Sequence, residues 1–132
     1  MEPQQAAKRI LIIEDEHFIA DLYNRVMTKA GLQVKIALNG KDGLELLEQE
    51  NFDLLLLDIL LPDMNGLEVL RRWKLKKPDS KMIILLLTNL GQDAVIKEGF
   101  VLGAQGYLVK ASYTPDQVVT EVINALADKK EG

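Results

Sequence analysis

Four apolar runs in this sequence of 132 residues each stop at a residue that can do metal or phosphate chemistry. Ile10 to Ile13 runs into Glu14, Asp15 and Glu16; Leu54 to Leu57 ends at Asp58; Ile83 to Leu87 ends at Thr88 and Asn89; Tyr107 to Val109 ends at Lys110. Carboxylates gathered at one spot repel one another, so such a cluster must hold protons or bind a cation. All-oxygen ligands, from carboxylates, a backbone carbonyl and water, match Mg2+, a hard ion that keeps several waters and often shares its site with a phosphate. Lys110 then supplies a point charge for a phosphoryl oxygen, and the Thr88 hydroxyl donates a hydrogen bond to another. Asp58, central among them, can act as a nucleophile and form an acyl phosphate.

That chemistry requires the runs to end side by side. Strand-like and helix-like segments take turns along the chain, the pattern of an α/β fold with a parallel sheet. The strands are expected at residues 9–13, 33–37, 53–57, 82–87 and 106–109. Runs such as Leu54 to Leu57 suit strands covered on both faces, whereas Gln33-Val34-Lys35-Ile36 alternates like an edge strand. With right-handed crossovers this favours a five-stranded parallel sheet of order 2-1-3-4-5, a flavodoxin-like doubly wound (βα)5 fold. In such a sheet ligands bind beyond the carboxyl ends of the strands, which places Glu14, Asp15, Asp58, Thr88 and Lys110 on one rim.

The helices carry their own signals. Phe18, Leu22 and Val26 form a stripe at four-residue spacing, and Gly31 supplies a left-handed residue to end that helix. Thr114-Pro115-Asp116-Gln117 combines a cap, a first-turn proline and a capping-box glutamine ahead of Val118, Val119, Val122, Ile123 and Leu126. The fourth helix, residues 92–102, contains Gly99, which costs about 1 kcal/mol relative to alanine and points to mobility.

With 48% hydrophobic residues, the chain can bury a core as one domain, expected over residues 8–127 with polar tails at 1–7 and 128–132. The net charge of -4 and pI near 5.0 argue against direct nucleic-acid binding. The absence of cysteine excludes disulfides and thiolate metal sites. No apolar run approaches the roughly 20 residues that span a bilayer, and the first residues lack a leader's pattern, so a cytoplasmic protein without membrane association is expected.

Glu14-Asp15, Asp58, Thr88, Tyr107 and Lys110, in that order and on those elements, resemble the receiver domains of two-component response regulators. The resemblance covers roughly residues 8–127. Its most specific piece is Leu54-Leu55-Leu56-Leu57-Asp58-Ile59-Leu60-Leu61-Pro62-Asp63-Met64-Asn65-Gly66, followed by Gly103-Ala104-Gln105-Gly106-Tyr107-Leu108-Val109-Lys110. The resemblance implies a phosphorylation-dependent signalling switch, not a conventional enzyme, with self-catalysed phosphoacceptance and slow autodephosphorylation. Asp58 would be the phosphoacceptor, with Glu14, Asp15, Asp58 and the main-chain carbonyl of Leu60 as magnesium ligands. Thr88 and Tyr107 would be the switch pair. A histidine kinase or histidine phosphotransfer protein would donate the phosphoryl group. A downstream protein would read the face of the fourth helix, fifth strand and fifth helix, where Ile96 and Phe100 offer apolar contacts for docking or for a phosphorylation-dependent homodimer.

The sequence departs from that family's pattern at Ala111, where proline is usual and commonly supports a cis peptide; before alanine a cis bond costs about 3 kcal/mol. Asn89 replaces a small residue, and its bulk is expected to restrict access to Asp58. Several residues take plainer readings. Glu16 reads as a helix cap, His17 as a solvated side chain, and Trp73 with Leu67 and Leu70 as helix-to-sheet packing. Arg71, Arg72, Lys74, Lys76 and Lys77 read as a solvent face. Two competing functions are weaker. A magnesium-dependent phosphohydrolase with an aspartyl-phosphate intermediate needs an acid where Leu60 stands. A flavin carrier needs hydroxyls and amides where Glu14-Asp15-Glu16 stand.

Overall fold

The structure is a computed structural model and describes residues 7–89 and 93–131. Its elements alternate along the chain: β1 (Arg9–Ile13), α1 (His17–Lys29), β2 (Gln33–Ala37), α2 (Gly40–Gln49), β3 (Leu54–Asp58), α3 (Gly66–Lys76), β4 (Ile83–Thr88), α4 (Asp93–Val101), β5 (Gly106–Val109), a 3-10 turn (Lys110–Ser112) and α5 (Pro115–Glu131). All strand pairs are parallel and the order is β2-β1-β3-β4-β5, as the hydrophobic pattern predicts.

Successive side chains of a strand face opposite ways, so each central strand feeds two cores. Leu55, Leu57, Ile84 and Leu86 pack with Leu67, Leu70 and Trp73 of α3 on one side. Leu54, Leu56, Ile83, Leu85 and Leu87 pack with Tyr23 and Met27 of α1 and Val118 and Val122 of α5 on the other. Covering both faces explains the unbroken leucine run, and the half-exposed β2 sits at the edge.

Asp58 and Thr88 are the last residues of their strands and not the first beyond them, because the ladder continues one residue further than the apolar runs. The α1 stripe is also displaced: Ala20, Tyr23 and Met27 are buried, while Phe18 is 75% exposed. Hydrophobicity alone placed the stripe to one side of the buried face: Tyr23 and Met27 join the core beneath the sheet, and Val26 borders it. In α5, Val118, Val119, Val122 and Leu126 are buried but Ile123 points outward. Of the two α4 residues expected to offer apolar contacts, Ile96 belongs to the core and Phe100 is exposed. Gln92, expected at the start of that helix, lies outside the described residues, as do residues 1–6 of the expected tail. The helix α5 continues to Glu131, through residues the sequence placed in a C-terminal tail.

The capping signals hold. The Thr114 amide donates to Gln117 Oε1 at 2.9 Å and the Gln117 amide to Thr114 Oγ1 at 3.2 Å, closing the capping box. Gly31 has φ 93°, the left-handed value that ends α1. The basic residues of α3 are a solvent face: Arg71 pairs with Glu68 and Glu98, Arg72 with Glu68, and Lys76 with Glu48.

Candidate functional site

Among the described residues, the buried polar or charged side chains are Glu14, Asp58 and Thr88, and all three stand at the carboxyl rim of the sheet. The register explains their meeting. Ile13 pairs with Leu57, so Glu14 follows β1 where Asp58 ends β3; Asp58 in turn pairs with Leu87, one residue before Thr88. Val109 pairs with Thr88, which brings Lys110 to the same edge.

Lys110 lies at the centre of the charge. Its Nζ is 2.6 Å from Glu14 Oε1 and 3.0 Å from Asp58 Oδ2, and its side chain is only 8% exposed, so it is no snorkelling surface lysine. Burial opposes its charge, but the Glu14 and Asp58 carboxylates outweigh that and raise its pKa above the ordinary lysine value. Glu14 is completely buried, and burial pushes its pKa up from 4.5 to about 7; Lys110 opposes the rise and Asp58 reinforces it. The second oxygen of each carboxylate is held by backbone: the Glu16 amide donates to Glu14 Oε2 at 3.1 Å, and the Leu60 amide to Asp58 Oδ1 at 3.1 Å.

Glu16 departs from its expected role. It occupies the N-cap position of α1, but its side chain makes no capping hydrogen bond and instead lies 3.5 Å from Lys110 Nζ. Three carboxylates therefore surround one ammonium, an arrangement for which the linear sequence held no signal beyond the acidic triplet.

Glu14, Asp15 and Asp58 each present a carboxylate oxygen, and these oxygens lie within 4.8 Å of one another, a group that could hold a metal ion. The donor set fits magnesium: it is entirely oxygen, and the charge of the buried Glu14 Oε1 is met in this structure by Lys110 Nζ at 2.6 Å. Leu60 sits two residues past Asp58 with its side chain 57% exposed and is bridged to Asn65, across the loop that enters α3.

The two residues expected to form a switch differ in burial. Thr88 is buried at the rim, whereas Tyr107 is 42% exposed and meets Phe100 edge-on, with ring centroids 6.4 Å apart. The Lys110–Ala111 peptide is trans, and the chain turns there through the 3-10 segment. Gly66, quoted only as the end of a motif, has a structural role: a Cβ there would lie 2.5 Å from the Asp58 carbonyl oxygen. Only glycine lets α3 start so close to the strand carrying Asp58.

This sheet order, with buried acids and a lysine on one rim, defines a CheY-like α/β signalling domain. The sequence matches the response regulator receiver domain over residues 10–123, and the chain belongs to that family. It is 31% identical to the chemotaxis protein CheY of Thermotoga maritima over 121 residues, covering 91% of this chain and 98% of that protein. It is 36% identical to the sporulation initiation phosphotransferase F of Bacillus subtilis over 103 residues, covering 78% and 82%. Identity reaches 41% over 102 residues with the transcriptional regulatory protein CusR of Escherichia coli, covering 77% of this chain but 44% of that one. The chain thus spans about half the length of the transcriptional regulators it matches. A CheY-like receiver domain from Methanospirillum hungatei superposes with a TM-score of 0.87 at 31% identity, covering 96% of this chain and all of that one.

Proposed function

We propose that this protein is a phosphorylation-dependent switch in which Asp58 accepts a phosphoryl group from a histidine kinase or a histidine phosphotransfer protein. The observation that carries this reading is the meeting of Asp58, Glu14 and Lys110 within 3.0 Å contacts at a rim where, among the described residues, Thr88 is the other buried polar side chain. An Asp58 carboxylate oxygen attacks phosphorus in line, the bond from phosphorus to the donor's imidazole nitrogen breaks, and that nitrogen keeps the electron pair. Lys110 stays paired with the charge that moves onto the phosphoryl oxygens, and the Leu60 amide holds the attacking carboxylate in place. Glu14, Asp15, Asp58 and the Leu60 carbonyl would hold Mg2+, which when bound offsets the negative charge of the incoming group.

Phosphorylation acts through Thr88 and Tyr107. Thr88 donates to a phosphoryl oxygen and moves toward it, and the Tyr107 ring, now outward, turns in. Differential contacts of this kind bias an existing equilibrium and need no net chemistry beyond the transfer. The readout is the face of α4, β5 and α5, where Phe100, Tyr107 and Ile123 are exposed to a downstream protein or to a second copy. The domain works in the cytoplasm, in keeping with described helices none of which is long and apolar enough to cross a membrane.

The phosphohydrolase alternative lacks its second acid: the residue two beyond Asp58 offers a backbone amide and an exposed leucine. Incubation with acetyl phosphate and magnesium, followed by intact mass measurement, tests the proposal. One phosphoryl adduct is expected, absent in Asp58→Asn and without turnover of simple phosphomonoesters. An adduct that persists in Asp58→Asn would overturn the assignment.

A further inference from the structure

The loop 59–65 leads from Asp58 past Leu60 into α3. At its base the Gly66 amide donates to the Ile59 carbonyl at 2.7 Å, and Leu60 bridges to Asn65. Its tip is anchored to a different element. Asp63 Oδ1 accepts from the Gly40 amide at 2.8 Å and Oδ2 from the Lys41 amide at 2.9 Å. Both donors are first-turn amides of α2, where the helix end favours negative charge. Met64 packs onto the same spot, so closely that a Cβ on Gly40 would come within 2.5 Å of Met64 Cγ.

Asp63 is not needed to cap α2 in the ordinary way. Asn39 does that, its side chain accepting from the Asp42 amide at 2.8 Å. What Asp63 adds is a two-pronged, charge-assisted link between elements that the sheet does not otherwise join at this level, and two parallel bonds restrict rotation as well as distance.

We propose that Asp63 is a positioning residue for the metal: by tying the loop tip to α2 it holds the Leu60 carbonyl in register with Glu14, Asp15 and Asp58. The inference rests on the magnesium site proposed above. Outer groups that orient metal ligands typically contribute 10- to 100-fold in affinity, and Asp63 acts through backbone, so the low end of that range applies.

The test is calorimetric titration of the whole chain with magnesium chloride, beside amide hydrogen exchange at Gly40, Lys41 and residues 59–65. Asp63→Ala is expected to weaken magnesium binding roughly 10-fold and to speed exchange in the loop. Asp63→Asn, which keeps one acceptor oxygen, should recover part of the loss. Asn39→Ala serves as the control, since it loosens the same helix end without touching the loop, and should leave magnesium affinity unchanged. An Asp63→Ala affinity within twofold of the parent, or an equal loss in Asn39→Ala, would overturn the inference while leaving the metal site standing. A parent protein that binds no magnesium would overturn both.

Discussion

Replacing Lys110 with methionine keeps most of the side chain's volume and removes the one charge that separates two buried carboxylates. At an effective dielectric near 20, unit charges at the observed 2.6 Å and 3.0 Å attract with roughly 6 kcal/mol each, before desolvation is subtracted. Desolvation cancels much of that, and deleting one partner of a buried pair costs about 3–5 kcal/mol because the other charge is left uncompensated. The loss should depend on pH. Lys110 opposes the rise in the Glu14 pKa, so without it Glu14 holds its proton to still higher pH. Near pH 6 the variant carries a neutral Glu14 and loses chiefly the pair with Asp58; toward pH 9 the cost of an uncompensated Glu14 adds to it. Urea unfolding of metal-free protein at several pH values measures this, with magnesium titration alongside. Magnesium should bind the variant more tightly than the parent, because it no longer competes with an ammonium for the same oxygens. A loss below about 1 kcal/mol at pH 9, or one that does not grow with pH, would refute the electrostatic account.

Three further outcomes follow from the same geometry. The folded-state pKa of Glu14, about 7, exceeds its ordinary 4.5, so without metal its contribution is fully present below pH 4.5 and is lost as pH rises to 7, a change of roughly 3 kcal/mol. Binding of the ion needs the ionised form, so the rise in melting temperature with millimolar magnesium should be larger at pH 8 than at pH 6; a pH-independent rise would contradict this. Gly66→Ala should destabilise by about 1–3 kcal/mol in denaturant titration, since its Cβ would meet the Asp58 carbonyl at 2.5 Å, despite alanine's better helix propensity; a neutral result would show that α3 can withdraw. Asn89, exposed just past Thr88, should slow loss of the phosphoryl group, so Asn89→Ala should dephosphorylate faster when the adduct is followed by mass.

Much of this molecule is legible in one dimension because its strongest signals are local. A run such as Leu54 to Leu57 has no polar face and can only be a strand covered on both sides, while β2 shows its exposed edge through alternation. Those two facts and the handedness of crossovers favour the observed strand order, and that order has Glu14, Asp58, Thr88 and Lys110 share a rim. Burial on α1 was less legible, because the face toward the sheet is made of Ala20, Tyr23 and Met27, which hydropathy ranks below Phe18 and Leu22. Helix rotation is settled by the partner surface, and the partner is remote in sequence.

The sequence by itself therefore determined which chemical groups the rim carries, since strand ends follow from local apolar patterning. Only tertiary structure decided how those groups are paired: that Lys110 lies between Glu14 and Asp58, that Glu16 turns from capping to face it, and that Asp63 reaches α2. The physical reason is reach. Each of these contacts joins residues two or more elements apart, at distances of a few ångströms where charge interactions are strong, and no local pattern encodes a separation so sensitive to packing.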